Sequence, residues 1–229
     1  MGHILYCSPQ WFYGYDIILE VVFALITLAV ALYSFKIYRL CGQRESRLFG
    51  TAFLLISVSY SLWAILNGFA VSELENARTI LEIEKANIWR YLGVYAHIFF
   101  FLGGVTTIAY MTLKDKNARL YSLLFILVLA GVVFAEQKYL ATHILSVILL
   151  LYIMLGYTNQ YSENKNKKVF LTLLAFTFLF LGRFEFIFSP SKNVFYVVGH
   201  VLEFAAYLLI LTSLIMVIKQ GNRKKITVP

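Results

Sequence analysis

Charge is scarce in this sequence. Only 14% of its 229 residues are Asp, Glu, Lys or Arg, against about 25% in an ordinary soluble domain. Hydrophobic residues make up 60%, more than one buried core of this length can absorb, so lipid has to solvate much of the surface. Cysteine is nearly missing. Cys7 and Cys41 fall on opposite sides of the topology derived below, which excludes a disulfide between them. No basic n-region precedes the first apolar stretch, and residues 1–14 are rich in Tyr and Trp, so no cleavable signal peptide is expected. Low-complexity tracts are absent, and no loop is long enough for a kinase, cyclase or other soluble output domain. What is abundant is aromatic: 17% of residues, with 20 Phe and 16 Tyr, a composition suited to lipid contact and interfacial belts.

A membrane-spanning helix needs about 20 mostly apolar residues. Spans are expected near 16–38, 48–71, 88–112, 119–136, 139–158, 168–188 and 194–218. The fold class is therefore all-α, a polytopic seven-transmembrane-helix bundle forming a single domain over 1–229. Only Glu136, Gln137 and Lys138 separate the fourth and fifth spans. One unbroken helix there would overshoot any bilayer, so a tight hairpin is expected.

Orientation follows from Lys and Arg in the short loops. Fourteen of them, Lys36 to Arg47, Lys114 to Arg119, Lys165 to Lys168 and Lys219 to Lys225, lie on one side. Five, Arg78, Lys85, Arg90, Lys138 and Lys192, lie on the other, and Arg183 falls within a span. The expectation is a cell-membrane protein with its N-terminus outside and its C-terminus cytoplasmic. The same distribution accounts for the net charge of +8 without nucleic acid. The basic residues are spread over four segments that face anionic lipid heads.

The longest loop, about 72–87, reads as an outer helix over about 73–86, with Ser72 and Glu75 at capping-box spacing. Trp11, Tyr13 and Tyr15 form an interfacial belt before the first span. Spans 1–3 and 5–7 have comparable spacing. Arg47-Leu48-Phe49 enters the second span as Lys168-Val169-Phe170 enters the sixth, and Tyr110 to Lys114 ends the third as Met216 to Lys219 ends the seventh. With the fourth span as connector, this spacing raises a parallel 3+1+3 repeat, an arrangement that occurs in transporters. Chance likeness between apolar helices is the competing explanation.

Ionisable groups at membrane depth usually face the bundle interior or water. Here they gather in the outer halves of the spans: Asp16 and Glu20 in the first, His97 in the third, His143 in the fifth, Arg183 and Glu185 in the sixth, His200 and Glu203 in the seventh. His200 and Glu203 share a helical face and lie roughly 9 and 14 Å below the outer end of their helix. Arg183 is the natural partner of Glu203, and Asn67 adds an amide. One outward-facing polar cavity is the economical reading, with His97, His143, Arg183, His200, Glu203, Glu20 and Asn67 as ligand-binding candidates. A structural network holding helices together is the bland alternative. Glu20, Glu185 and Asp16 are near enough to the interface for snorkelling to place them.

Three histidines and an acid also raise a metal. His97, His143, His200 and Glu203 have ligand types suited to zinc or copper, and His97 with His200 could serve a haem. No HxxxH or HExxH fixes two ligands on one face, and a retinal Schiff base lacks its mid-span lysine in the last helix. Two glycines, Gly103 and Gly104, interrupt the third span and suit close helix contact or a hinge. The leading functional expectation is a transporter or sensor of a small molecule or ion reached from the outer side. A sensor would need a partner membrane protein. The alternatives are a membrane metalloenzyme or haem protein, and a purely structural subunit. The residues name no cofactor and do not favour an enzyme.

Overall fold

The computed structural model describes residues 10–12, 14–76, 80–115 and 117–226. A turn of 3-10 helix at Gln10–Phe12 precedes seven α-helices. These are α1 (Tyr15–Cys41), α2 (Arg44–Asn76), α3 (Ile80–Thr112), α4 (Ala118–Val133), α5 (Lys138–Asn164), α6 (Lys167–Phe188) and α7 (Asn193–Ile226). No strand occurs among the described residues. Six of the helices are long and apolar enough to cross a membrane. The exception is α4, whose 16 residues reach roughly 24 Å at 1.5 Å per residue.

Local chemistry sets the helix ends. The first helix stops at Gly42, whose φ of 66° is left-handed and whose N–H bonds Tyr38 O at 2.7 Å. At the starts of α4 and α6, Asn117 and Asn166 accept from the backbone N–H of Arg119 and Lys168. Lys138 Nζ donates to Val133 O and Ala135 O, closing the link from α4 to α5. The outer segment is not a separate helix among the described residues. Ser72 lies inside α2, and α3 already runs from Ile80, so the capping-box spacing marks no helix start. Cys7, Tyr13 and residues 77–79 lie outside the described residues. Cys41 is a free, exposed thiol.

Six helices close a ring. In order, α1 packs on α2, α2 on α3, α3 on α5, α5 on α6, α6 on α7, and α7 back on α1. The fourth helix stands outside this ring against α3 and α5. It runs antiparallel to α3. Its Tyr121 meets Tyr110 and Thr107, its Phe125 meets Phe99, and its Val128 and Val132 pack against Ile98 and Leu102. It therefore carries the chain from the end of the bundle where α3 stops to the end where α5 starts. Inside the ring, Phe23, Phe53, Phe176, Tyr207 and Ile210 form the core. At Gly104 α2 and α3 approach closely, since a Cβ there would stand 2.7 Å from Ala52 O. Outward, Leu25, Leu32, Ile65, Ile88, Ile126, Ile148 and Val201 are each more than half exposed. Large apolar side chains outside with acids, amides and hydroxyls inside is the surface that lipid contact requires.

Within the ring, α1 shares local features with α5, and α2 with α6. Tyr15 and Lys138, 123 residues apart, open helices of 27 residues each. Both helices end on a left-handed residue, Gly42 and Lys165, whose N–H bonds a tyrosine carbonyl, Tyr38 and Tyr161, at 2.7 Å. The same interval pairs buried Ala52 with Ala175, Phe53 with Phe176, Ile56 with Leu179 and Tyr60 with Arg183. It differs by two from the interval that aligns Arg47 with Lys168.

The polar cavity as candidate functional site

The starts of α1, α5 and α7, the finish of α6 and the middles of α2 and α3 surround one cavity of about 90 Å³. Its wall contains six of the seven candidates: Glu20, His97, His143, Arg183, His200 and Glu203. The seventh, Asn67, is buried behind the wall and lies beside the Glu20 carboxylate. Snorkelling does not place Glu20, which is 2% exposed and receives the Trp63 indole N–H on Oε1. Asp16 is equally buried and holds the start of α1, accepting from Gly14 N and Ile17 N at 3.0 and 2.9 Å. Glu185 is not in the wall.

Arg183 and Glu203 pair at 2.6 Å, both almost fully buried. Tyr60 completes the group. Its hydroxyl accepts from Arg183 Nη2 at 3.0 Å and donates to Glu203 Oε2 at 3.1 Å, with the Tyr207 hydroxyl 3.0 Å away. The Arg183 guanidinium carbon also lies 3.8 Å from the Phe101 ring centroid. His97 is held from α2, where Ser59 Oγ lies 2.8 Å from Nδ1 and 3.1 Å from the His97 carbonyl. His97 stacks on Phe101.

The rest of the wall is unfinished. Eight buried side-chain nitrogens and oxygens among the described residues have no hydrogen-bond partner. Six of those eight atoms belong to wall residues: Glu20 Oε2, His143 Nδ1, Arg183 Nε, both ring nitrogens of His200, and Glu203 Oε1. Glu203 Oε1 touches Arg183 as an ion pair but outside hydrogen-bond geometry. Leaving a buried polar group unmatched costs about 1–3 kcal/mol. Only two such atoms, on Ser34 and Thr106, lie elsewhere, so the shortfall is concentrated at this cavity.

The metal candidates do not form a metal centre. Among the described residues, no three of His, Cys, Asp and Glu gather around a point that holds an ion. Aromatic packing keeps them apart: the Phe186 ring contacts both His143 and His200, at 5.2 and 5.1 Å between centroids.

Sequence reasoning assigned the site to helices 1, 3, 5, 6 and 7, with Asn67 from helix 2. The structure adds Tyr60 and Trp63, which make α2 a full wall. Their spacing was a usable signal. Tyr60, Trp63 and Asn67 lie on one helical face, and a buried Tyr or Trp needs a polar partner.

No family model matches this chain, and no curated protein or solved structure is measurably similar to it. Fold and site together define an all-helical bundle of apolar, membrane-type helices enclosing a polar cavity.

Proposed function

We propose that this chain is a seven-crossing integral protein of the cell membrane that binds a small polar solute or ion in the outer half of its bundle. The observation that carries the reading is that the wall of one cavity holds four buried polar atoms without partners, on Glu20, His143 and His200, beside the Arg183–Glu203 ion pair. A network serving only to hold helices would complete its bonds, as Arg183, Glu203, Tyr60 and Tyr207 largely do. Here a closed scaffold stands beside an open set: Glu20, His143 and His200. The volume sets the ligand size. A water occupies about 10–15 Å³ of such space, so about 90 Å³ suits a few water-sized groups and not a drug-sized molecule.

The outer location follows from Lys and Arg. The ends of α1, α5, α6 and α7 that border the cavity adjoin the side with five basic loop residues, opposite the side with fourteen. The seventh crossing is α4, because the chain must pass from the far end of α3 to the cavity end of α5. We further infer that α1–α3 and α5–α7 are parallel repeats with α4 as connector. The equal 27-residue lengths of α1 and α5, their matched left-handed ends and the matched buried faces of α2 and α6 support this. So do the contacts: Gly93 packs on Trp63 as Gly199 packs on Phe186, and Ser59 adjoins His97 as Gly182 adjoins Glu203.

Thermal unfolding of the purified full chain, in detergent, against formate, glycine, urea and methylammonium tests the reading. At least one solute should raise Tm saturably, through its linkage to the folded state. Thr142→Leu, which fills the wall from α5, should abolish that rise. If no solute stabilises the protein and Thr142→Leu only raises Tm, the cavity is a packing defect and the reading is wrong.

A further inference from the structure

The cavity wall is unbalanced in charge. Two carboxylates, Glu20 and Glu203, face one guanidinium. Arg183 is committed to Glu203, Tyr60 and the Phe101 ring. Glu20 has only neutral partners, the Trp63 indole on Oε1 and the neighbouring Asn67, while Oε2 has none. A carboxylate at 2% exposure needs a positive counterpart to be held ionised in a bundle interior.

The open atoms indicate what kind. Glu20 Oε2 only accepts when ionised, and a neutral imidazole brings one accepting and one donating nitrogen. His200 has both nitrogens open and His143 has Nδ1. Glu20 Oε2, the accepting nitrogen of His200 and, in its Nε2-protonated tautomer, His143 Nδ1 can each receive an N–H from a ligand. The remaining wall is aromatic, with Tyr60, Trp63 and Phe186 facing the same space, and ring faces attract cations. Among the described residues, a multivalent metal lacks the ligand cluster it would need.

We propose that the cavity binds a small monovalent cation that donates hydrogen bonds, of the ammonium or short primary-alkylammonium class, with Glu20 as its counter-charge. This rests on the small-solute reading above and specifies its ligand.

The test compares Tm of the full chain in ammonium chloride and methylammonium chloride with Tm in sodium chloride at equal ionic strength. The wild type should gain about 5 °C or more at saturation. Glu20→Gln should weaken the apparent affinity at least tenfold. Glu185→Gln, outside the wall, should leave it unchanged. Thr142→Leu gives a second route that removes no charge, and it should abolish the gain even where Glu20→Gln folds poorly. Equal Tm in sodium and ammonium salts, or an unchanged response in Glu20→Gln, overturns the proposal. A saturable gain with formate or urea instead overturns the cation and leaves the site standing. No gain with any solute removes both.

Discussion

Removing Arg183 leaves Glu203 buried at 1% exposure with Tyr60 as its one remaining hydrogen-bond donor. Breaking such a pair from one side typically costs about 3–5 kcal/mol, whereas replacing both partners with apolar residues costs far less. Arg183→Ala should therefore lower the unfolding free energy by about that amount, measured by detergent-denaturant titration. The double change Arg183→Met with Glu203→Leu should recover most of it. An Arg183→Ala loss under about 1 kcal/mol would show the pair to be water-screened. Tyr60→Phe keeps the ring and removes one oxygen that serves Arg183, Glu203 and Tyr207. It should cost about 1–3 kcal/mol, whereas Tyr95→Phe, on an exposed tyrosine, should cost nearly nothing. The charged members of this network were legible in the sequence, because an ionisable residue inside an apolar run announces itself. Tyr60 and Trp63 carried only the weaker signal of a face shared with Asn67, because aromatic residues are common in every span and their partners are what single these two out.

At the scale of the helix, two residues test how backbone approach and backbone angle shape the bundle. Gly104→Ala would place a Cβ 2.7 Å from Ala52 O and 2.5 Å from Ile56 Cγ1. Backbone cannot rotate away, so overpacking of about 1–3 kcal/mol is expected, visible as a lower Tm. Gly103→Ala, whose nearest neighbour is the Phe125 ring at 3.3 Å, should cost less. If the two are equal, the helices are free to separate and Gly104 is no close contact. Lys165 is the opposite case. It holds φ of 43°, where a side chain is strained by roughly 1–2 kcal/mol. Lys165→Gly should stabilise α5 by about 1 kcal/mol after the greater chain entropy of glycine is deducted. A destabilisation there would mean that the lysine side chain makes a contact outweighing its strain. Six long apolar helices were visible from composition and length alone. The fourth was visible as an apolar run but not as a helix lying outside the ring, since that follows from which faces of α3 and α5 remain open. The outer segment read as its own helix because capping residues signal a start only where a helix has first stopped, and α2 runs on through Ser72.

The whole molecule is decided by the direction of α4. The starts of α1 and α5 border the same cavity, and α3 finishes at the opposite end, so the segment between α3 and α5 must traverse the bundle. At roughly 24 Å the helix itself falls short of a bilayer core of about 30 Å, so the proposed seventh crossing needs its flanking residues to complete it. The proposed topology places Cys41 and Glu136 on opposite sides of the membrane, and Glu136 and Lys192 on the same side. Single-cysteine labelling measures it directly. With Cys7→Ser, the native exposed thiol of Cys41 should react with a membrane-impermeant maleimide only after permeabilisation of intact cells. In a chain lacking both native cysteines, Glu136→Cys and Lys192→Cys should react without it. The reversed pattern at all three positions would invert the orientation drawn from Lys and Arg while keeping seven crossings. Reaction of Glu136→Cys on the Cys41 side would leave α4 on one surface of the bilayer. That arrangement would also break the parallel pairing of α1 with α5, because the two helices would then enter from opposite sides and could not present Glu20 and His143 to one cavity.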